Sequence, residues 1–99
     1  MMFPKPQTYR DEKLRRAVAS LACVNCGRDG CTQAAHTNQG KGMGIKASDA
    51  SLMALCFTCH ADLDQGGSMT KGERRAFEHE MVAKTYQALM ESGRLKVAA

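Results

Sequence analysis

Ser51-Leu52-Met53-Ala54-Leu55-Cys56-Phe57-Thr58-Cys59-His60 is the stretch on which the fold turns. It opens as a short apolar run of the kind that makes a buried strand, and it closes as a C-x2-C pair. A second pair, Cys23-Val24-Asn25-Cys26, lies upstream, with 29 residues between the two. A C-x2-C turn lets two thiolates reach one tetrahedral ion at about 2.3 Å each. Backbone N–H groups inside the turn point at the sulfurs and stabilise their charge. Gly27 follows the upstream pair and suits the left-handed residue that closes such a turn. Two pairs complete a shell of four thiolates, which is closed to substrate and therefore structural, and zinc fits it best.

Other readings of the cysteines carry less. A redox dithiol belongs in a βαβ setting, and no such pattern surrounds either pair. Cys56-Phe57-Thr58-Cys59-His60 is also a C-x-x-C-H string, the attachment signature of c-type haem, but haem leaves the upstream pair without a purpose. Cys31 is a fifth thiol, either replacing Cys26 as a ligand or remaining free and half-buried.

Composition says why a metal staple matters. The chain has 99 residues, one domain's worth, with 5% aromatic residues and no Trp. So thin a core needs a staple, and zinc binding supplies on the order of 10–16 kcal/mol of folding free energy. The net charge is +4, unevenly placed. Residues 1–48 hold eight basic and three acidic side chains, and residues 49–99 hold six and seven. A basic front half fits a polyanion such as nucleic acid, although a solubilising face would also account for it. No apolar run reaches the roughly 20 residues of a membrane span, so no membrane partner is expected. The opening residues lack an apolar stretch of signal-peptide length. The expected compartment is a reducing cytoplasm, where cysteine pairs bind metal rather than each other.

The expected fold is small α+β, in a single domain spanning 1–99. Residues 1–10, with Pro4 and Pro6, form an extended arm. Residues 11–22 form a helix whose Leu14, Val18 and Leu21 share a face, with Asp11 and Glu12 in the first turn. Residues 23–66 form the zinc-bound core. In it the strands QAAHT and SLMAL make a hairpin, and residues 56–64 a helix that ends at Gly66-Gly67. The intervening QGKGMGIK, residues 39–46, is glycine-rich but lacks the ending of a phosphate-binding loop. Residues 70–92 form a last helix. Thr70 and Glu73 make its capping box, and Phe77, Met81, Val82, Ala88 and Leu89 its apolar stripe. His79, between two glutamates, is expected at the surface.

With zinc pinning the hairpin to the helix, His36 is expected to face His60 across a crevice. At this point CVNC, AAH and SLMALCFTCH resemble the HNH, or ββα-metal, endonuclease superfamily over about residues 21–66. AAH, GKGMGIKASD and LCFTCHADLDQG look closest to the YbcO-like nucleases of prophages. The resemblance implies a ββα-metal core flanked by N- and C-terminal helices, and metal-dependent hydrolysis of DNA phosphodiester bonds. It implies His36 as general base, His60 as ligand of a catalytic divalent ion such as Mg2+, and Cys23, Cys26, Cys56 and Cys59 as ligands of structural zinc. Oxygen ligands or orienting groups would come from Asp49, Asp64 or Asn38. Lys41, Lys46 and Arg28, with Arg15 and Arg16 behind them, would hold phosphates. Ala35 stands where many members carry Asp, and Ser51 near where the middle Asn falls. The alternative is therefore a non-catalytic zinc module that binds nucleic acid or a recombination protein.

Overall fold

The computed structural model describes residues 9–37, 48–65 and 69–98. Along these the order is α1 (Glu12–Ala19), β1 (Thr32–His36), β2 (Leu52–Cys56), α2 (Phe57–Gln65) and α3 (Lys71–Glu91). The architecture is small α+β, three helices around an antiparallel pair of strands. The two strands pair from Thr32 opposite Cys56 at one end to His36 opposite Leu52 at the other. The QGKGMGIK segment, with Lys41 and Lys46, lies outside the described residues, as do Asn38, Gly66-Gly67 and most of the N-terminal arm.

All five residues of β2 are buried, which is why SLMAL reads as one continuous apolar run. Alternation along the strand sends its side chains two ways. Leu52 and Ala54 pack with Val18 and Leu21 of the α1 segment and Leu89 of α3. Met53 and Leu55 pack with Ala35, Leu63 of α2 and Met81 of α3, and Cys56, at the join of β2 and α2, belongs to the same cluster. Helix α3 thus serves both clusters along the edge of β2 that β1 leaves open. Thr85 closes that edge: its Oγ1 accepts from Ala54 N–H at 2.9 Å and donates to the Met81 carbonyl at 2.7 Å. The Ala54 carbonyl accepts from Val24 N–H at 2.9 Å. No backbone group at the middle of β2 is left to attract another strand.

Helix ends follow sequence cues. Thr70 Oγ1 accepts from Glu73 N–H at 3.1 Å, and the Glu73 carboxylate accepts from Thr70 N–H at 2.9 Å. Asp11 caps α1 through Leu14 N–H at 3.2 Å. The α1 helix stops at Ala19, short of the expected residue 22. The chain there turns toward the first cysteine pair, with Leu21 N–H bonding back to the Val18 carbonyl. His79 is exposed as expected, but its neighbour Glu78 is buried, because it falls in register with Met81, Thr85 and Leu89 on the inner stripe of α3. Among the described residues no helix is long and apolar enough to cross a membrane.

A candidate metal centre and two histidine–carboxylate pairs

The four sulfurs of Cys23, Cys26, Cys56 and Cys59 lie within 4.8 Å of one another. A tetrahedral zinc site with bonds of about 2.3 Å places its sulfurs about 3.8 Å apart, so closing on an ion needs shifts of about 1 Å or less. The Cys26 and Cys56 sulfurs already stand 3.6 Å apart, bringing the two pairs together. Cys31 remains a half-buried free thiol packed against the core and is not one of the four.

Each pair is built by its own local structure. In the upstream turn, Gly27 has φ +81°, its N–H bonds the Cys23 carbonyl at 2.9 Å, and Cys26 N–H points at Cys23 Sγ at 3.5 Å. The downstream pair straddles the join of β2 and α2. Cys56 precedes the first helical residue, and its sulfur accepts from Cys59 N–H at 3.5 Å. A thiolate thus does the work of an N-cap side chain and gains from the positive end of the helix dipole. That helix carries no acidic residue in its first turn, so nothing competes with the sulfur for the position.

Without an ion the four thiols hold their protons unevenly. Burial pushes Cys23 up, but N–H groups of Cys26, Cys56 and Asn25 outweigh it and bring the thiol down to about 6. Burial dominates at Cys59, which is pushed up to about 12. A divalent cation removes that asymmetry by ionising all four, which is the chemistry this donor set fits.

The histidines stand apart. His36 Nε2 lies 2.7 Å from Asp49 Oδ1, with the carboxylate fully buried and the ring about a quarter exposed. The other Asp49 oxygen accepts from Asp11 N–H at 2.6 Å and pairs with the Arg15 guanidinium. The Asp49 backbone is tied as well, its N–H to the Tyr9 carbonyl at 2.9 Å and its carbonyl to Tyr86 Oη–H at 2.8 Å. Burial alone would raise the Asp49 pKa. Asp11 N–H, His36 and Arg15 together reverse that and hold it below the usual carboxylate range.

His60 has a separate setting. Its Nδ1 lies 2.8 Å from Gln33 Oε1, and its Nε2 lies 3.4 Å from Asp64 one helical turn on. Gln33 and His36 are three residues apart on β1, so they point to opposite faces. His60 also belongs to the Cys56 end of the hairpin and His36 to the Leu52 end, about 13 Å away at a rise of about 3.3 Å per residue. The two imidazoles therefore do not share a cleft, and the expectation that they face each other is corrected.

Two of the cations named from the sequence are engaged with the protein itself. Arg15 is bound to Asp49, and Arg16 pairs with Glu12 at 2.8 Å. Arg28 is exposed, its guanidinium 6.0 Å from the centroid of the Phe57 ring. Sequence reasoning named Asp49 but missed Asp11, Arg15, Tyr9 and Tyr86 as its partners, since no fixed spacing links them. Set beside known proteins, the chain matches no family model, no curated protein and no solved structure.

Proposed function

We propose that this chain is a zinc-stapled endonuclease of the HNH kind that hydrolyses DNA phosphodiester bonds, with His36 as the general base. The observation that carries the reading is the His36–Asp49 pair. An ionised, buried carboxylate accepts from Nε2–H, which leaves Nδ1 as the basic nitrogen of a partly exposed ring. A base held in one tautomer, with a carboxylate behind it to stabilise the imidazolium, is suited to taking a proton from an attacking water. The structural zinc belongs to Cys23, Cys26, Cys56 and Cys59 and takes no part in that step. A divalent ion such as Mg2+ would supply charge stabilisation at the phosphate, but His60 and Asp64, on the face opposite His36, do not offer donors for it beside that base in this arrangement.

A second reading, a zinc module that binds nucleic acid or a recombination protein without cutting, is favoured by one observation. His36 and His60 lie on opposite faces and at opposite ends of the hairpin, so one phosphate does not reach both in this arrangement. The test is plasmid nicking by the zinc-loaded protein with Mg2+, Mn2+ or Ni2+ supplied in turn. Cleavage leaving 5′-phosphate ends with at least one ion is the expected result. Binding without cleavage under all three replaces the endonuclease by the module.

A further inference from the structure

Phe57 is more than half exposed although it sits between two of the four metal-site cysteines. Packing does not account for it: the ring belongs to neither hydrophobic cluster. The Arg28 guanidinium stands over it, 6.0 Å from the centroid, and reaches Thr58 Oγ1 at 3.5 Å. Arg28 follows the upstream cysteine pair and Phe57 lies inside the downstream one, so the metal centre is what brings cation and ring together.

We propose that Phe57, with Arg28 over one face, is a stacking platform on its other face for one unpaired nucleobase, so that the zinc end of the molecule binds single-stranded nucleic acid. An aromatic face takes any base, and an adjacent guanidinium answers the phosphate next to it. A protein partner fits less well. Residues 25–30 and 57–58 are all exposed, and Phe57 is the one large apolar side chain among them. A stable protein interface needs about 800 Å2 per partner around several apolar anchors, whereas one ring matches one base. The basic balance of residues 1–48 favours the same polyanion. The proposal shares with the endonuclease reading the assumption of a nucleic-acid partner, but not that of cleavage.

The experiment uses the zinc-loaded full chain and fluorescently labelled ten-nucleotide strands of oligo(dT), oligo(U) and an abasic backbone of equal length. Anisotropy is expected to show binding to oligo(dT) or oligo(U), the comparison of the two telling DNA from RNA, and weaker binding to the abasic strand. Phe57→Ala is expected to weaken binding roughly tenfold, and Arg28→Ala to lower the salt dependence by about one phosphate contact. Because the chain has no Trp, Phe57→Trp places a single indole at the platform, and its emission is expected to quench as the strand binds. Equal affinity for abasic and base-bearing strands overturns the proposal. So does Trp emission that does not respond, which also decides the matter should Phe57→Ala lose its zinc. Duplex nicking is scored separately, so failure here is distinguishable from failure of the endonuclease reading.

Discussion

The two ends of the hairpin are held by different chemistry. At the Thr32–Cys56 end, four sulfurs converge on a space for one ion. At the His36–Leu52 end, one buried carboxylate gathers a backbone N–H and a guanidinium from the α1 segment and an imidazole from β1. The first end depends on something the chain must acquire, and the second is complete within the chain. A metal ion draws its ligands from short, regular spacings, whereas a buried charge recruits whatever donors the tertiary fold brings near.

Removing the metal should produce the largest effect. Chelation, or Cys56→Ser, is expected to unfold the protein, because metal binding contributes on the order of 10–16 kcal/mol to a core with few large side chains. Circular dichroism during titration with a chelator checks this, together with a metal content of one zinc per chain. A protein that keeps its helices without metal would show that the carboxylate end suffices.

Acid should weaken the same end. Cys59, pushed up to about 12, keeps its proton at neutral pH and must release it on binding. Falling pH therefore favours the protonated, metal-free thiols, and zinc affinity is expected to drop between pH 8 and pH 6. Chelator competition across that range measures it, and a flat profile would contradict ligation by four thiolates.

Asp49→Asn probes the opposite end. It leaves Arg15 without its counter-charge and is expected to cost about 3 kcal/mol, lowering the thermal midpoint by on the order of 10 °C with zinc content unchanged. Since the Asp49 pKa is lowered in the folded chain, its contribution is present above the unfolded value near 4 and is lost as pH falls through the folded value. Thr85→Val, between the two ends, removes the acceptor for Ala54 N–H and should cost about 1–3 kcal/mol. Faster hydrogen exchange at the Ala54 amide would report it.

The sequence disclosed the two ends unequally. The cysteine spacings named all four thiols, SLMAL was legible as a buried strand, and Thr70 with Glu73 announced the start of α3, because each signal is local. The positions of the histidines were not read correctly, although a period of two already separates residues 33 and 36. What was missing was which face α2 covers, and the Gln33–His60 contact supplies that. The Asp49 hub joins Tyr9, Asp11, Arg15, His36 and Tyr86 across the whole chain, and no window of sequence contains it. The inner position of Glu78 was hidden for another reason, since a charged residue on an apolar stripe interrupts the pattern used to find the stripe.

One measurement bears most directly on the proposal that the His36–Asp49 end is the reactive one: plasmid nicking by His36→Ala beside the unaltered protein, at equal zinc content. The expected result is a fall of at least about a hundredfold with one zinc per chain retained and the helices intact. Nicking at the unaltered protein's rate would remove His36 as the base and, with it, the role assigned to the Asp49 end.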